Sequence, residues 1–254
     1  MKLTILIIFF MTVLVNFLYA ENTNTLISIG DTYHRKFNNI DALKYYQFAY
    51  EQDPENFEIL KKLTLTANDC GEDLVETNES KAKEYFKLSV KYAELSKINF
   101  PEQKDNYLLL GLSYGNSSRY ASGKSKVTLA RNVERNFKKM VEHRPDYAPP
   151  YIGLGIYYRE VSKINFILKL FAKNLLGGLP DGSLEDSKAM LLKAVELAPN
   201  KVFTHYELAI TYLDLGDTKK VEYHLVKVLE LPNSDHLDPL KKKTAEKILL
   251  DLNS

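Results

Sequence analysis

Two glycine–serine patterns in this chain have the spacing of reactive sites. Gly111-Leu-Ser113-Tyr-Gly115 is spaced like a nucleophile elbow, in which a serine on a sharp strand-to-helix turn stands beside N–H groups that stabilise an oxyanion. Gly123-Lys124-Ser125 has the end of a phosphate-cradling loop, but that loop needs an earlier glycine where this chain carries Ser118. His34, His143, His205, His224 and His236 are scattered and never reach metal-ligand spacing. Cys70 is the single cysteine, which excludes an internal disulfide. At the end of a predicted helix it reads as a small, semi-buried hydrophobe rather than a reactive thiol or an intermolecular link. No strand precedes Ser113, and no acid–base pair accompanies it. These residues predict a chain that is not an enzyme and that takes no cofactor and no metal.

Gly111 and Tyr114 belong to a different spacing, one that recurs. Leu26, Ile29, Gly30 and Tyr33 share one face of a 3.6-residue helix, and Ala42, Tyr46 and Ala49 line a second helix closed by Pro54. The same order returns at Tyr107, Leu110, Gly111 and Tyr114, at Tyr151, Leu154, Gly155 and Tyr158, and at His205, Leu208, Ala209 and Tyr212. Phe57, Leu60, Leu63 and Leu65 open another unit, whose polar stretch 68–79 reads as an overlong connection. Large, large, Gly, Tyr, then Ala, aromatic, Ala, Pro resembles the tetratricopeptide repeat, a helix–turn–helix unit of about 34 residues. The resemblance implies an all-α superhelical solenoid of about five repeats, near 23–56, 57–100, 104–147, 148–201 and 202–234. A capping helix over 238–252 covers the last repeat, with Leu240, Ala245, Ile248, Leu249 and Leu252 inward and Lys241, Lys242 and Lys243 outward.

Residues 1–20 follow other rules. Lys2, an apolar run from Leu3 to Val15 and a small residue, Ala20, before Glu21 predict a secretory signal peptide, too short for a comfortable membrane span. The chain is therefore expected to be exported, periplasmic or secreted. With 34 Lys and Arg against 33 Asp and Glu, loss of Lys2 leaves no net charge to attract nucleic acid or an anionic membrane.

In tetratricopeptide proteins the first helix of each repeat lines the concave face. Counting from the signature places Ile27, Asp31 and His34 there, then Leu108 and Leu112, then Ile152, Ile156 and Arg159, then Tyr206, Ile210 and Leu213. One subgroup of these proteins grips a peptide carboxylate with Lys, Asn and Arg. Ile27 and Asp31 stand where its first Lys and Asn would be, so that clamp is excluded. An apolar groove remains, with a pocket expected near Ile156, Tyr206 and Ile210 and a solvated Arg159 at the rim. The predicted amphipathic helix over 163–176 is a candidate to fill the groove; its lysines also allow contact with a membrane surface, though packing on the solenoid is favoured. A basic strip of Arg119, Lys124, Lys126, Arg131, Arg135, Lys138 and Lys139 reads first as a solvated helix face, and otherwise as a dock for an acidic partner.

Asn174-Leu-Leu-Gly-Gly-Leu-Pro-Asp-Gly-Ser-Leu-Glu-Asp-Ser187, followed by Leu192-Lys-Ala-Val-Glu-Leu-Ala-Pro199 and preceded by Gly155-Ile-Tyr-Tyr158, is similar to the regulator of microtubule dynamics family over residues 105–250. An exported chain meets no microtubule, so the resemblance implies the repeat architecture and not that activity. Periplasmic T-component proteins of TRAP transporters are a looser likeness. The expected function is a non-catalytic module that binds a protein or peptide; the alternative is a binder of a lipophilic small molecule.

Overall fold

The computed structural model describes residues 22–164 and 181–252. Helices follow one another as α1 (22–34), α2 (Asn39–Gln52), α3 (Phe57–Leu74), α4 (Glu79–Asn99), α5 (Asn106–Ser118), α6 (Gly123–His143), α7 (Ala148–Ser162), α8 (Leu184–Leu197), α9 (Val202–Leu215), α10 (Thr218–Glu230) and α11 (Asp238–Leu252). Among the described residues there is no strand. Each helix packs on its successor, and α3, α5, α7, α9 and α11 also pack in series. That second series is what makes an all-α tetratricopeptide-like solenoid: first helices of the pairs form an inner layer, second helices an outer one.

Polar side chains set the helix starts. The side chains of Asn38, Asn56, Asn78, Ser183 and Asp217 each accept a bond from a first-turn N–H, a contribution of about 0.5–2 kcal/mol apiece. Ser183 and Asp186 complete a reciprocal capping box. Gly216, at φ 77°, ends α9 in the left-handed conformation that a side chain resists.

Within the pairs, a glycine on the first helix receives a large side chain from the second. A Cβ built on Gly30 would lie 2.5 Å from the Tyr46 ring, on Gly111 2.6 Å from Phe137, and on Gly155 2.5 Å from Leu191. The second pair repeats this contact between Gly71 and Phe86, further along its helices, because α3 and α4 run to 18 and 21 residues against 14 in α2. The stretch expected to be a connection is thus helical as far as Leu74. Its buried stripe of Leu63, Ala67, Cys70 and Gly71 keeps helical spacing, while the polar residues between them bond to neighbouring helices. In the third pair α6 is likewise long, 21 residues, and follows α5 after a short turn.

The predicted signal peptide (1–20) and most of the predicted insertion helix (163–176) lie outside the described residues. Within them, no helix is long and apolar enough to cross a membrane.

Candidate functional site

Ser113 is wholly buried in the middle of α5, 2.6 Å from Ser89 Oγ and 3.2 Å from Asn68 Nδ2. A serine without access to solvent, tied between helices, is a packing element. Gly123 and Lys124 open α6 after its N-cap residue Ser122. Cys70 is fully buried, and burial pushes its thiol up to about 12, which removes its nucleophilic thiolate.

The candidate groove residues occupy inner helices that pack side by side. Leu108 is buried, Leu112, Ile152, Ile156, Tyr206 and Ile210 are half-buried, and Leu213 is 39 % exposed. Leu112 rests on the core between α6 and α7, and Ile152 and Tyr206 on the core beneath α9 to α11.

Arg159 is not a solvated residue at the rim. It is 6 % exposed, donating from Nη2 to Glu207 Oε2 at 2.6 Å and from Nη1 to Glu207 O and Thr211 Oγ1. Glu207 in turn meets Lys241 of α11 at 3.1 Å. Burial alone raises the Glu207 pKa, but the charges of Lys241 and Arg159 and their hydrogen bonds outweigh it and hold the carboxylate ionised. Lys241 also departs from expectation: instead of pointing outward, its ammonium lies 4.0 Å from the Phe203 ring centre and 4.4 Å from that of Tyr206. The carboxylate of Glu207 and two aromatic faces draw it in, so the expected pocket at Tyr206 has a lysine across it.

The basic strip is a solvated helix face over much of its length. Arg119, Lys124, Lys126, Arg135, Lys138 and Lys139 are exposed and Arg131 is half-buried. Lys138 pairs with Glu134, Lys139 reaches Glu142 at 3.5 Å, and Arg135 bonds Asn132.

The fold assembles two histidine clusters that sequence spacing hides. His205 Nε2 donates to Pro199 O at 2.8 Å, leaving its Nδ1 to accept from His224 Nδ1 at 3.0 Å. Both rings are buried; burial and the His205 charge lower the His224 pKa to about 4. The other cluster joins the loop before α11 to α3. His236 Nδ1 donates to Asp73 Oδ1 at 2.7 Å, and its Nε2 faces Glu72 Oε2 at 3.4 Å and Asp69 Oδ1 at 3.6 Å. Burial works against a charge on His236. The hydrogen bond to Asp73, the Glu72 carboxylate facing Nε2 and the Asp69 and Asp235 charges overcome it, raising its pKa to about 11. Burial raises the Asp69 pKa; at Asp73 burial is outweighed by His236 and Asn39, which hold it below the usual range.

Known proteins agree with this architecture. The family model described as regulator of microtubule dynamics protein 1-3 matches residues 26–253. Regulator of microtubule dynamics protein 2 of Rattus norvegicus is 24% identical over 78% of this chain and 48% of its own length. The Homo sapiens protein of the same name is 24% identical over 69% of this chain and 43% of its own. This chain thus spans less than half the length of these relatives. A crystal structure of a thermophilic tetratricopeptide-repeat protein from Thermus thermophilus superposes with a TM-score of 0.60 at 19% identity, covering 89% of this chain and 99% of that one. A match over nearly the whole described solenoid, with the repeat fold to accompany it, decides the affiliation: the chain belongs to the regulator of microtubule dynamics protein family.

Proposed function

We propose that the protein is an exported, non-catalytic scaffold that holds a partner helix or extended peptide against the inner face of α5, α7 and α9. The observation that carries this reading is the row of Leu112, Ile156, Ile210 and Leu213, half-buried or exposed apolar side chains on inner helices packed in series. Such a row offers anchors to a partner with apolar residues at i, i+4 and i+7. Burial of Ser113 and Cys70 removes the two nucleophiles from consideration, and the repeat fold supports a protein-binding role. Export rests on the leader-like residues 1–20. Microtubule regulation, named for the relatives, is not carried over.

The test is photo-crosslinking in the source cell, from a reactive residue at 156 or 210 and, as control, at Val226 on α10, which is 40 % exposed. A partner captured from 156 and 210 but not from 226 supports the scaffold. Equal capture from all three overturns it, and lipid captured at 156 and 210 replaces it with the lipophilic-ligand reading. Mass spectrometry of the exported protein should find Glu21 at or near the mature N-terminus; full-length protein held in membranes overturns secretion.

A further inference from the structure

The cluster on α3 has the organisation of a metal centre. Each of its ligand-type side chains has one polar atom fixed by a neighbour and the other turned inward. His34 Nε2 holds Asp69 Oδ2 at 3.0 Å, leaving Oδ1 inward. Asn116 Nδ2 donates to Glu72 Oε1 at 2.9 Å, leaving Oε2. Asp73 accepts a hydrogen bond from His236 Nδ1 and is itself held by Asn39 Nδ2 at 2.9 Å, leaving His236 Nε2. Outer partners of this kind orient the ligands of natural metal sites, the carboxylate behind a histidine above all.

Distances and charge point the same way. Nε2 belongs to a side chain only 8 % exposed, yet it stands 3.4 and 3.6 Å from the two carboxylate oxygens, longer than the usual hydrogen bond of 2.7–3.2 Å. Two ligands on one ion at about 2.0–2.2 Å each, near the tetrahedral angle, are about 3.3–3.6 Å apart. Four carboxylates, those of Asp69, Glu72, Asp73 and Asp235, surround one imidazole, and among the described residues their ion pairs are to His34 and His236, with no Lys or Arg. A dication in place of the Nε2 proton brings one more positive charge to them.

We propose that Asp69 Oδ1, Glu72 Oε2 and His236 Nε2 form a three-ligand site for a divalent first-row transition ion of the zinc class. Water completes the coordination, and binding releases the Nε2 proton to solvent. One nitrogen with two carboxylates suits such an ion, whereas calcium takes six to eight oxygens. Asp73, His34 and Asn116 are positioning residues. The ion ties the loop before α11 to α3.

The experiment uses the full chain, freed of metal by a chelator and titrated with Zn2+ or Co2+ alone, followed by calorimetry, visible absorption and melting. One equivalent should bind, Co2+ should develop an intense visible band, and Zn2+ should raise the Tm reversibly on chelation. His236→Ala and Glu72→Gln should each weaken Zn2+ at least tenfold, and Asp73→Asn about 10–100-fold, with the helical circular-dichroism signal retained. No saturable binding by the unaltered chain overturns the proposal, whatever the variants do. Unchanged affinity in both ligand variants, or equal binding of Mg2+ or Ca2+, overturns it as well.

Discussion

Gly30 lies directly under the ring of Tyr46: a Cβ on the glycine would stand 2.5 Å from Cε1 and 2.8 Å from Cδ1. Tyr46 is 2 % exposed, and its hydroxyl donates to Asp31 at 2.6 Å, so the ring has nowhere to withdraw. Gly30→Leu should therefore cost about 1–3 kcal/mol by overpacking. Gly115, within α5, has open space by comparison, its built Cβ reaching only Val133 at 4.0 Å. Gly115→Ala should stabilise by up to about 1 kcal/mol through helix propensity. Urea melts of the two variants should move in opposite directions; a shared direction refutes the close-contact role of Gly30.

The His205–His224 pair gives stability a pH dependence of known sign. In the unfolded chain these imidazoles bind protons near 6.5, whereas burial and the His205 charge hold folded His224 neutral down to about 4. Between those values the unfolded state binds more protons, so stability is present above 6.5 and is lost as pH falls toward 4. The loss is roughly 3 kcal/mol at 1.36 kcal/mol per pKa unit. Guanidinium melts across this range should show it, and His224→Phe, which keeps a ring against Tyr212, should flatten the slope.

Arg159 and Glu207 should be strongly coupled. Removing one partner of a buried ion pair costs about 3–5 kcal/mol in comparable sites. Glu207→Met, which leaves both Arg159 and Lys241 without their carboxylate, should destabilise more than Arg159→Met, which leaves Glu207 paired with Lys241. The double variant should cost less than the sum of the two. Strict additivity in that cycle shows the pair to be independent and refutes the coupling.

The outer strip on α6 predicts the opposite behaviour. Lys124, Lys126 and Arg135 are exposed, so reversing all three to Glu should shift stability only slightly, within about 0.5 kcal/mol for each change. A large drop in Tm would show that these side chains support the fold.

Much of the architecture is legible in the sequence because its signals are local. Gly30, Tyr46 and Gly111 take their places in the repeat from helical spacing alone, and the structure seats the large side chain of each second helix over the glycine. The limits appear where polar residues serve the interior. Asn68, Asp69, Glu72 and Asp73 look like a solvated connection until neighbouring helices supply Ser113, His34 and Asn116, and the loop before α11 supplies His236, as partners. Arg159 looks like a rim residue because Glu207 is 48 positions away, and Lys241 looks outward for the same reason. Lone histidines carry no spacing that says which of them will meet. His236 finds Asp73 across 163 residues only because the fold brings the loop before α11 back to α3.

That return contact changes what kind of object the array is. An open row of helix pairs behaves as a one-dimensional stack whose ends fray one unit at a time, each held only by its neighbour. With His236 seated on α3, the loop before α11 and the second pair share a restraint that an open stack lacks. A protease cut in the loop before α11 should then loosen amides of α3 as well as those of α10, reaching hydrogen exchange in helices that the severed chain never touches in sequence.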